Sequence, residues 1–139
     1  MNILRYLKPK ATVFYLESDS TVRQGLEKLR THSYTALPVI DREGRYVGTV
    51  TEGDFLRFLL QKNGVSLQEC ERYPLGDILR DDFNPPVSIH APREEIVERL
   101  ANQNFLPVVD DRGVFMGIVT RQDIIRGYLL SALPRQLIS

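Results

Sequence analysis

Apolar and polar positions alternate along this chain in a way that predicts the same short run of elements twice. In DSTVRQGLEKLR, Val22, Leu26 and Leu29 fall at i, i+4 and i+7, one face of a helix, with Asp19 and Ser20 placed as caps. The counterpart is APREEIVERLA, where Pro92 suits a first-turn position. ALPVID and FLPVVD read as strands buried on both faces, and REG and DRG as glycine-containing hairpin turns. RYVGTVT and VFMGIVT are the return strands, each running directly into a helix, while TVFYLES and PVSIH are short β-rich segments. The predicted order in each half is β-α-β-β-α.

The halves are copies. Leu37, Pro38, Val39, Asp41, Gly44, Gly48, Val50, Thr51, Asp54 and Arg57 recur without a gap as Leu106, Pro107, Val108, Asp110, Gly113, Gly117, Val119, Thr120, Asp123 and Arg126. A tandem duplication predicts an α/β fold whose units pack on each other. We divide it into a first repeat over 1–62, a connecting segment over 63–86, a second repeat over 87–130 and a tail over 131–139. Leu75, Ile78 and Leu79 predict one short connecting helix, ended by Pro85-Pro86, and Pro134 breaks the tail.

Composition narrows the function. The 139 residues are 42% hydrophobic, as in a soluble globule, and 18 Lys plus Arg balance 18 Asp plus Glu. Zero net charge argues against a nucleic-acid surface. No apolar run reaches the ~18 residues of a membrane span. The N-terminus lacks a secretory h-region, Met1 fits a stand-alone protein, and Cys70 is the only cysteine, so a cytoplasmic location is expected. Cys70 reads as a buried small residue. His32 and His90 are isolated, with no second ligand at metal spacing, and no Walker loop, nucleophile elbow or Cys/His constellation is present. We expect no enzyme, no cofactor and no metal.

The chemistry concentrates in GTVTEGDFLRFLL and its echo GIVTRQDIIRGYLL. Thr51 and Asp54, like Thr120 and Asp123, form a T-x-x-D pattern at a strand-to-helix junction. Such a pattern caps a helix, for about 1 kcal/mol. It also suits a nucleoside phosphate: an ionised Asp accepts from both hydroxyls of a vicinal diol, and a helix start favours phosphate. Both readings stand, since one helix start can serve both. Arg57 and Arg126, at i+3 from the aspartates, read as helix-surface pairing partners.

With its motif LPV(I/V)D…G…G(T/I)VT-x-x-D occurring twice, the chain resembles the CBS domain pair, named for cystathionine β-synthase. The resemblance covers about Ala11 to Leu130. It implies two repeats packed around a pseudo-two-fold axis, with clefts that bind adenine nucleotides or other adenosyl ligands as regulatory signals. The implied roles are ribose binding by Asp54 and Asp123, and ribose or phosphate contact by Thr51 and Thr120. Base-holding walls are implied around Tyr34, Thr35, Ala36, Leu37 and Pro38, around Gln103, Asn104, Phe105, Leu106 and Pro107, and on the first strands at Thr12 to Tyr15 and Val87 to His90.

The clefts are not expected to be equal. Arg121 places a cation beside the second motif, whereas Glu52 adds a carboxylate beside the first, so the second is favoured for a charged ligand. SYTALPV supplies an aromatic and small residues to the first cleft, and Lys8 and Lys10 are candidates to offset Glu52. Tyr34-Thr35-Ala36-Leu37-Pro38-Val39 with Arg121 also resembles stand-alone CBS proteins that bind cyclic di-AMP. AMP, ADP, ATP and cyclic di-AMP are therefore the candidate ligands. A homodimer is expected from the apolar helices FLRFLL and IIRGYLL, with Gly127 permitting close approach, and an effector protein would receive the signal. A ligand-free dimerisation scaffold is the remaining alternative.

Overall fold

The structure, a computed structural model, describes residues 3–32 and 34–132, without the side chains of 128–132. From residue 133 the expected tail, with its break at Pro134, lies outside the described residues. In chain order the elements are β1 (Lys8–Pro9), β2 (Leu16–Glu17), α1 (Val22–His32), β3 (Ala36–Ile40), β4 (Tyr46–Thr51) and α2 (Glu52–Gln61). The second unit follows with β5 (Val87–Ser88), α3 (Arg93–Leu100), β6 (Phe105–Val109), β7 (Phe115–Thr120) and α4 (Arg121–Ala132). Apart from β1, each unit is the β-α-β-β-α expected.

The local details differ from the pattern in instructive places. Helix α1 is capped by Thr21, whose hydroxyl accepts from the Gln24 N–H while Gln24 Oε1 accepts from the Thr21 N–H. Asp19 is instead drawn to Arg42 at 2.7 Å. Pro92 stands one position ahead of α3, its ψ of 159° being extended rather than helical. The connecting segment makes two 3-10 turns, Glu69–Arg72 and Leu75–Ile78, in place of one helix. Pro74 lies between them and has no N–H to continue a helix. Cys70 and Leu75 from this segment are fully buried in the first unit's core, so the connector is part of that unit's packing.

Two sheets result, one ordered β2-β3-β4 and the other β1-β7-β6-β5. In each, a parallel strand joins an antiparallel hairpin, with Ala36 opposite Thr51 in one and Phe105 opposite Thr120 in the other. The hairpin turns need a left-handed residue, supplied by Gly44 at φ 81° and Gly113 at φ 79°. These turns meet across the pseudo-two-fold axis. The Phe115 N–H donates to the Gly44 carbonyl at 2.8 Å, and the Tyr46 N–H donates to the Gly113 carbonyl at 3.1 Å. Both pairs use the same positions of the repeat with the units exchanged. Phe115, 2% exposed, lies between the rings of Tyr15 and Tyr46 from the other unit.

The N-terminal segment crosses over. β1 pairs antiparallel with β7 of the second unit, Lys8 opposite Ile118 and Pro9 opposite Gly117. This crossing needs glycine at 117: its φ is 149°, and a Cβ there would sit 2.1 Å from the Lys8 carbonyl oxygen. The second unit's core also takes in Ile3, against Val87, Ile96, Leu106, Val119 and others. Gly127 does allow a close approach, but to Tyr6 of the same chain, whose ring lies 2.4 Å from the place of a Cβ.

Candidate functional site

The two T-x-x-D motifs fold into the same junction and then diverge. In both, the first helical N–H is taken by the residue before the second strand of the unit: Glu52 N–H donates to the Thr35 carbonyl at 3.1 Å, and Arg121 N–H to that of Asn104 at 2.9 Å. In both, the threonine hydroxyl accepts from the aspartate N–H, Asp54 to Thr51 at 3.3 Å and Asp123 to Thr120 at 3.1 Å. Helix capping is therefore a real function of Thr51 and Thr120.

Asp54 completes a capping box, accepting from the Thr51 N–H at 2.8 Å and from its hydroxyl at 3.0 Å. Two arginines close over it. Arg80 Nε lies 2.7 Å from Oδ1 and Arg57 Nη1 2.9 Å from the same atom, and the Asp54 side chain is 0% exposed. The Arg80 guanidinium is in turn 3.7 Å from the centre of the Phe83 ring. Burial pushes the Asp54 carboxyl up, but the Thr51 N–H, Arg57, Arg80 and the Thr51 hydroxyl outweigh it and hold the group below the usual carboxylate range.

Asn84 of the connecting segment joins the two units in a directed chain of hydrogen bonds. Arg99 Nε donates to Gln103 Oε1 at 2.7 Å, and Gln103 Nε2 to Asn84 Oδ1 at 2.8 Å. Asn84 Nδ2 donates to Thr49 Oγ1 at 3.0 Å, and Thr49 shares a 2.6 Å bond with the Tyr46 hydroxyl, which donates to the Asn84 carbonyl at 2.8 Å. Burial pushes the Tyr46 hydroxyl up to about 12, so it stays a donor. Gln103 and Thr49 occupy the repeat positions of Tyr34 and Ile118.

Those latter positions line an open cleft of about 210 Å³, with Lys8, Thr12, Val13, Phe14, Ala36, Leu37, Pro38 and Phe105. The walls come from both units. Register places Ala36 opposite Thr51, yet the cleft it lines is completed by Lys8, Phe105 and Ile118 rather than by Thr51 and Asp54. Lys8 Nζ lies 3.5 Å from Asp123 Oδ2 and is, among the described residues, the one cation in ion-pair range of that carboxylate. Asp123 is 24% exposed and Lys8 50%. Lys8 thus serves the second motif instead of offsetting Glu52, and Lys10 lies 5.3 Å over the Tyr15 ring.

The remaining candidates are placed as follows. Arg57 makes the expected i,i+3 pair, whereas the equivalent carboxylate, Asp123, faces Lys8 rather than Arg126. Arg121 Nε donates to the Leu100 carbonyl at 2.8 Å, tying the start of α4 to the end of α3. Pro107 is buried within β6, opposite Ile118, and Asn104 is exposed. At the mouth of the open cleft, Phe14 and Tyr34 are 42% and 39% exposed, and the Phe14 ring is 4.1 Å from that of His32. Lys8, as the cation beside Asp123, is the residue the motif pattern misassigned; no local signal in KPK tells which unit it will reach. No group of three or more His, Cys, Asp or Glu that could hold a metal occurs among the described residues, and none of their helices is long and apolar enough to cross a membrane.

The chain is similar to several known proteins. A CBS domain-containing protein of Dictyostelium discoideum is 28% identical over 125 residues, covering 82% of this chain and 83% of that protein. The crystal structure of CbpB in complex with c-di-AMP superposes with a TM-score of 0.85 at 22% identity, over 93% of this chain and 85% of that one. CBSX2 in complex with AMP superposes with a TM-score of 0.74 at 26% identity, over 95% and 98%. The CBS domain family model matches residues 7–61 and 75–130, so that with its duplicated motif, paired sheets and reciprocal hairpin contacts the chain belongs to the CBS domain family, as a tandem pair.

Proposed function

We propose that the protein is a non-catalytic regulatory module that binds one adenosyl ligand per chain in the open cleft beside Asp123. The observation that carries this is the contrast between the two aspartates: Asp54 is sealed under Arg57 and Arg80, while Asp123 is partly exposed and its carboxylate makes a 3.5 Å contact with Lys8. The base would lie against Ala36, Pro38 and Phe105, with Tyr34 and Phe14 at the mouth. Asp123 would accept from the ribose hydroxyls and release Lys8 towards phosphate. At about 210 Å³ the cleft is smaller than the ~300–1,000 Å³ of pockets that enclose a whole ligand, so the charged end stays in the open. The likeness to CBSX2, solved with AMP, supports this ligand class. Thr120 and Asn104 hold the helix start in place, and Arg121 fixes the helix end beside it.

A cyclic dinucleotide is the second reading, favoured by the exposed Phe14 and Tyr34 rings, which offer a second base a stacking surface. The signal would pass to an effector by favouring one arrangement of the units or of a homodimer. The apolar groove of about 510 Å³ between α1 and α2, lined by Leu26, Phe55, Leu56 and Leu59, is the surface we assign to the second copy.

The test is calorimetric titration with AMP, ADP, ATP and cyclic di-AMP, with GMP as control. One adenine-selective site per chain, lost in Asp123→Ala and kept in Arg57→Gln, is the expected result. A flat panel, or binding that survives Asp123→Ala, removes the proposal and leaves the ligand-free scaffold.

A further inference from the structure

We infer that the basic hollow between α2 and the connecting segment is a second site, specific for phosphate-class anions and independent of the adenosyl cleft. Its volume is about 380 Å³, and Asp54, Arg57, Phe58 and Gln61 of α2 with Lys62 just past its end border it, together with Tyr73, Asp77, Ile78 and Arg80 of the connecting segment. It shares no lining residue with the open cleft, and at the repeat positions of Tyr34 and Ile118 in that cleft, Gln103 and Thr49 are instead tied by hydrogen bonds to Asn84.

The charge arrangement is what points to an anion. Three cations border the hollow against two carboxylates, and one of these, Asp54, has a side chain 0% exposed. Asp54 acts as an anchor: it fixes one edge of Arg57 and one of Arg80, while both guanidinium groups remain partly exposed, at 51% and 39%. Each guanidinium carries five N–H donors, so several are left to face the hollow. The Phe83 ring fixes the plane of Arg80 as well. Donors held this way lose little freedom when they bind, and a fork of N–H groups matches phosphate oxygens.

Lys62 makes the case specific. Its ammonium lies 4.7 Å over the Tyr73 ring and 6.0 Å from the Phe58 ring, and among the described residues no carboxylate is in ion-pair range. A network needed only to neutralise Asp54 has no use for a third cation. Asp77 is the remaining carboxylate in the lining, and Gln61 adds a neutral donor. Phe58, Tyr73 and Ile78 give the hollow an apolar side, which admits a small organic body attached to the phosphate.

Titration of the full chain at fixed ionic strength with inorganic phosphate, pyrophosphate and glycerol phosphate tests this, with chloride as the control anion. We expect saturable binding of at least one probe, weakened about tenfold in Lys62→Gln, as loss of one charge-assisted bond implies. Asp123→Asn should leave it unchanged. Tighter binding of glycerol phosphate identifies a phosphate ester as the ligand type, and tighter binding of the inorganic probes identifies the free anion. Absence of saturable binding, binding indifferent to Lys62→Gln, or binding lost in Asp123→Asn overturns the proposal. Adenine-nucleotide titration of Lys62→Gln keeps the two sites apart, since the adenosyl cleft should be unaffected.

Discussion

The Arg80 guanidinium stands 2.7 Å from the Asp54 carboxylate, in the place where the equivalent Asp123 has, among the described residues, Lys8 alone at 3.5 Å. In both units the segment entering one repeat sends a cation to the motif aspartate of the other. A short, twice-paired contact to a fully buried carboxylate closes the first motif. A long contact to a partly exposed one leaves the second available.

The two aspartates should therefore separate stability from binding. Asp54→Ala leaves Arg57 and Arg80 facing a buried void and should cost about 2–3 kcal/mol in urea unfolding. Asp123→Ala breaks a half-exposed pair worth at most about 1 kcal/mol, and should abolish adenine-ligand binding instead. Equal stability losses in the two variants would falsify this division.

Acid should unfold the protein partly through Asp54. Burial raises its carboxyl, but the Thr51 N–H and the two arginines lower it further, so its folded value lies below the ~3.9 of an unfolded Asp. A lowered carboxyl contributes stability that is fully present above ~3.9 and is lost as pH falls through the folded value. Asp19, beside Arg42, and Asp110, under the Val114 and Arg112 N–H groups, are lowered too and remain in any Asp54 variant. The urea midpoint of the wild type should drop more steeply below about pH 4 than that of Asp54→Asn. Parallel curves would show that Asp54 does not govern the acid limb.

Gly117→Ala should detach the N-terminal crossing. Its Cβ would meet the Lys8 carbonyl at 2.1 Å, and its φ of 149° is unfavourable for alanine, a strain of order 1–3 kcal/mol. Faster hydrogen exchange around Lys8 and weaker ligand binding are expected together. Unchanged exchange would mean that β7 shifts to keep β1 in place.

Phe115→Ala tests the coupling of the units. The ring is 2% exposed between Tyr15 and Tyr46, and its loss should cost about 3–5 kcal/mol. Loss of a single unfolding transition, with the two units melting separately, is the sharper readout. A small loss with one transition retained would place the coupling in the hairpin bonds of Gly44 and Gly113 instead.

Much of this was legible along the chain. The duplication, the hairpins at Gly44 and Gly113 and the capping threonines follow from local periodicity and turn chemistry, which act over a few residues. Helix ends were less so: Thr21 rather than Asp19 caps α1 because Gln24 is in reach to reciprocate and Arg42, distant in sequence, draws Asp19 away. The inequality of the motifs was visible as Glu52 against Arg121, but the charges that separate them in space are Arg80 and Lys8.

The repeat pattern by itself determined the order of elements, the family and the pairing of Thr with Asp at each helix start, because all three depend on near neighbours. Tertiary structure alone decided which aspartate is sealed. The deciding cations come from segments 26 and 115 residues away by number, Arg80 for Asp54 and Lys8 for Asp123. Their reach depends on how the connector packs on the first core and how β1 crosses to β7, and a charge acts through distance in space rather than position along the chain.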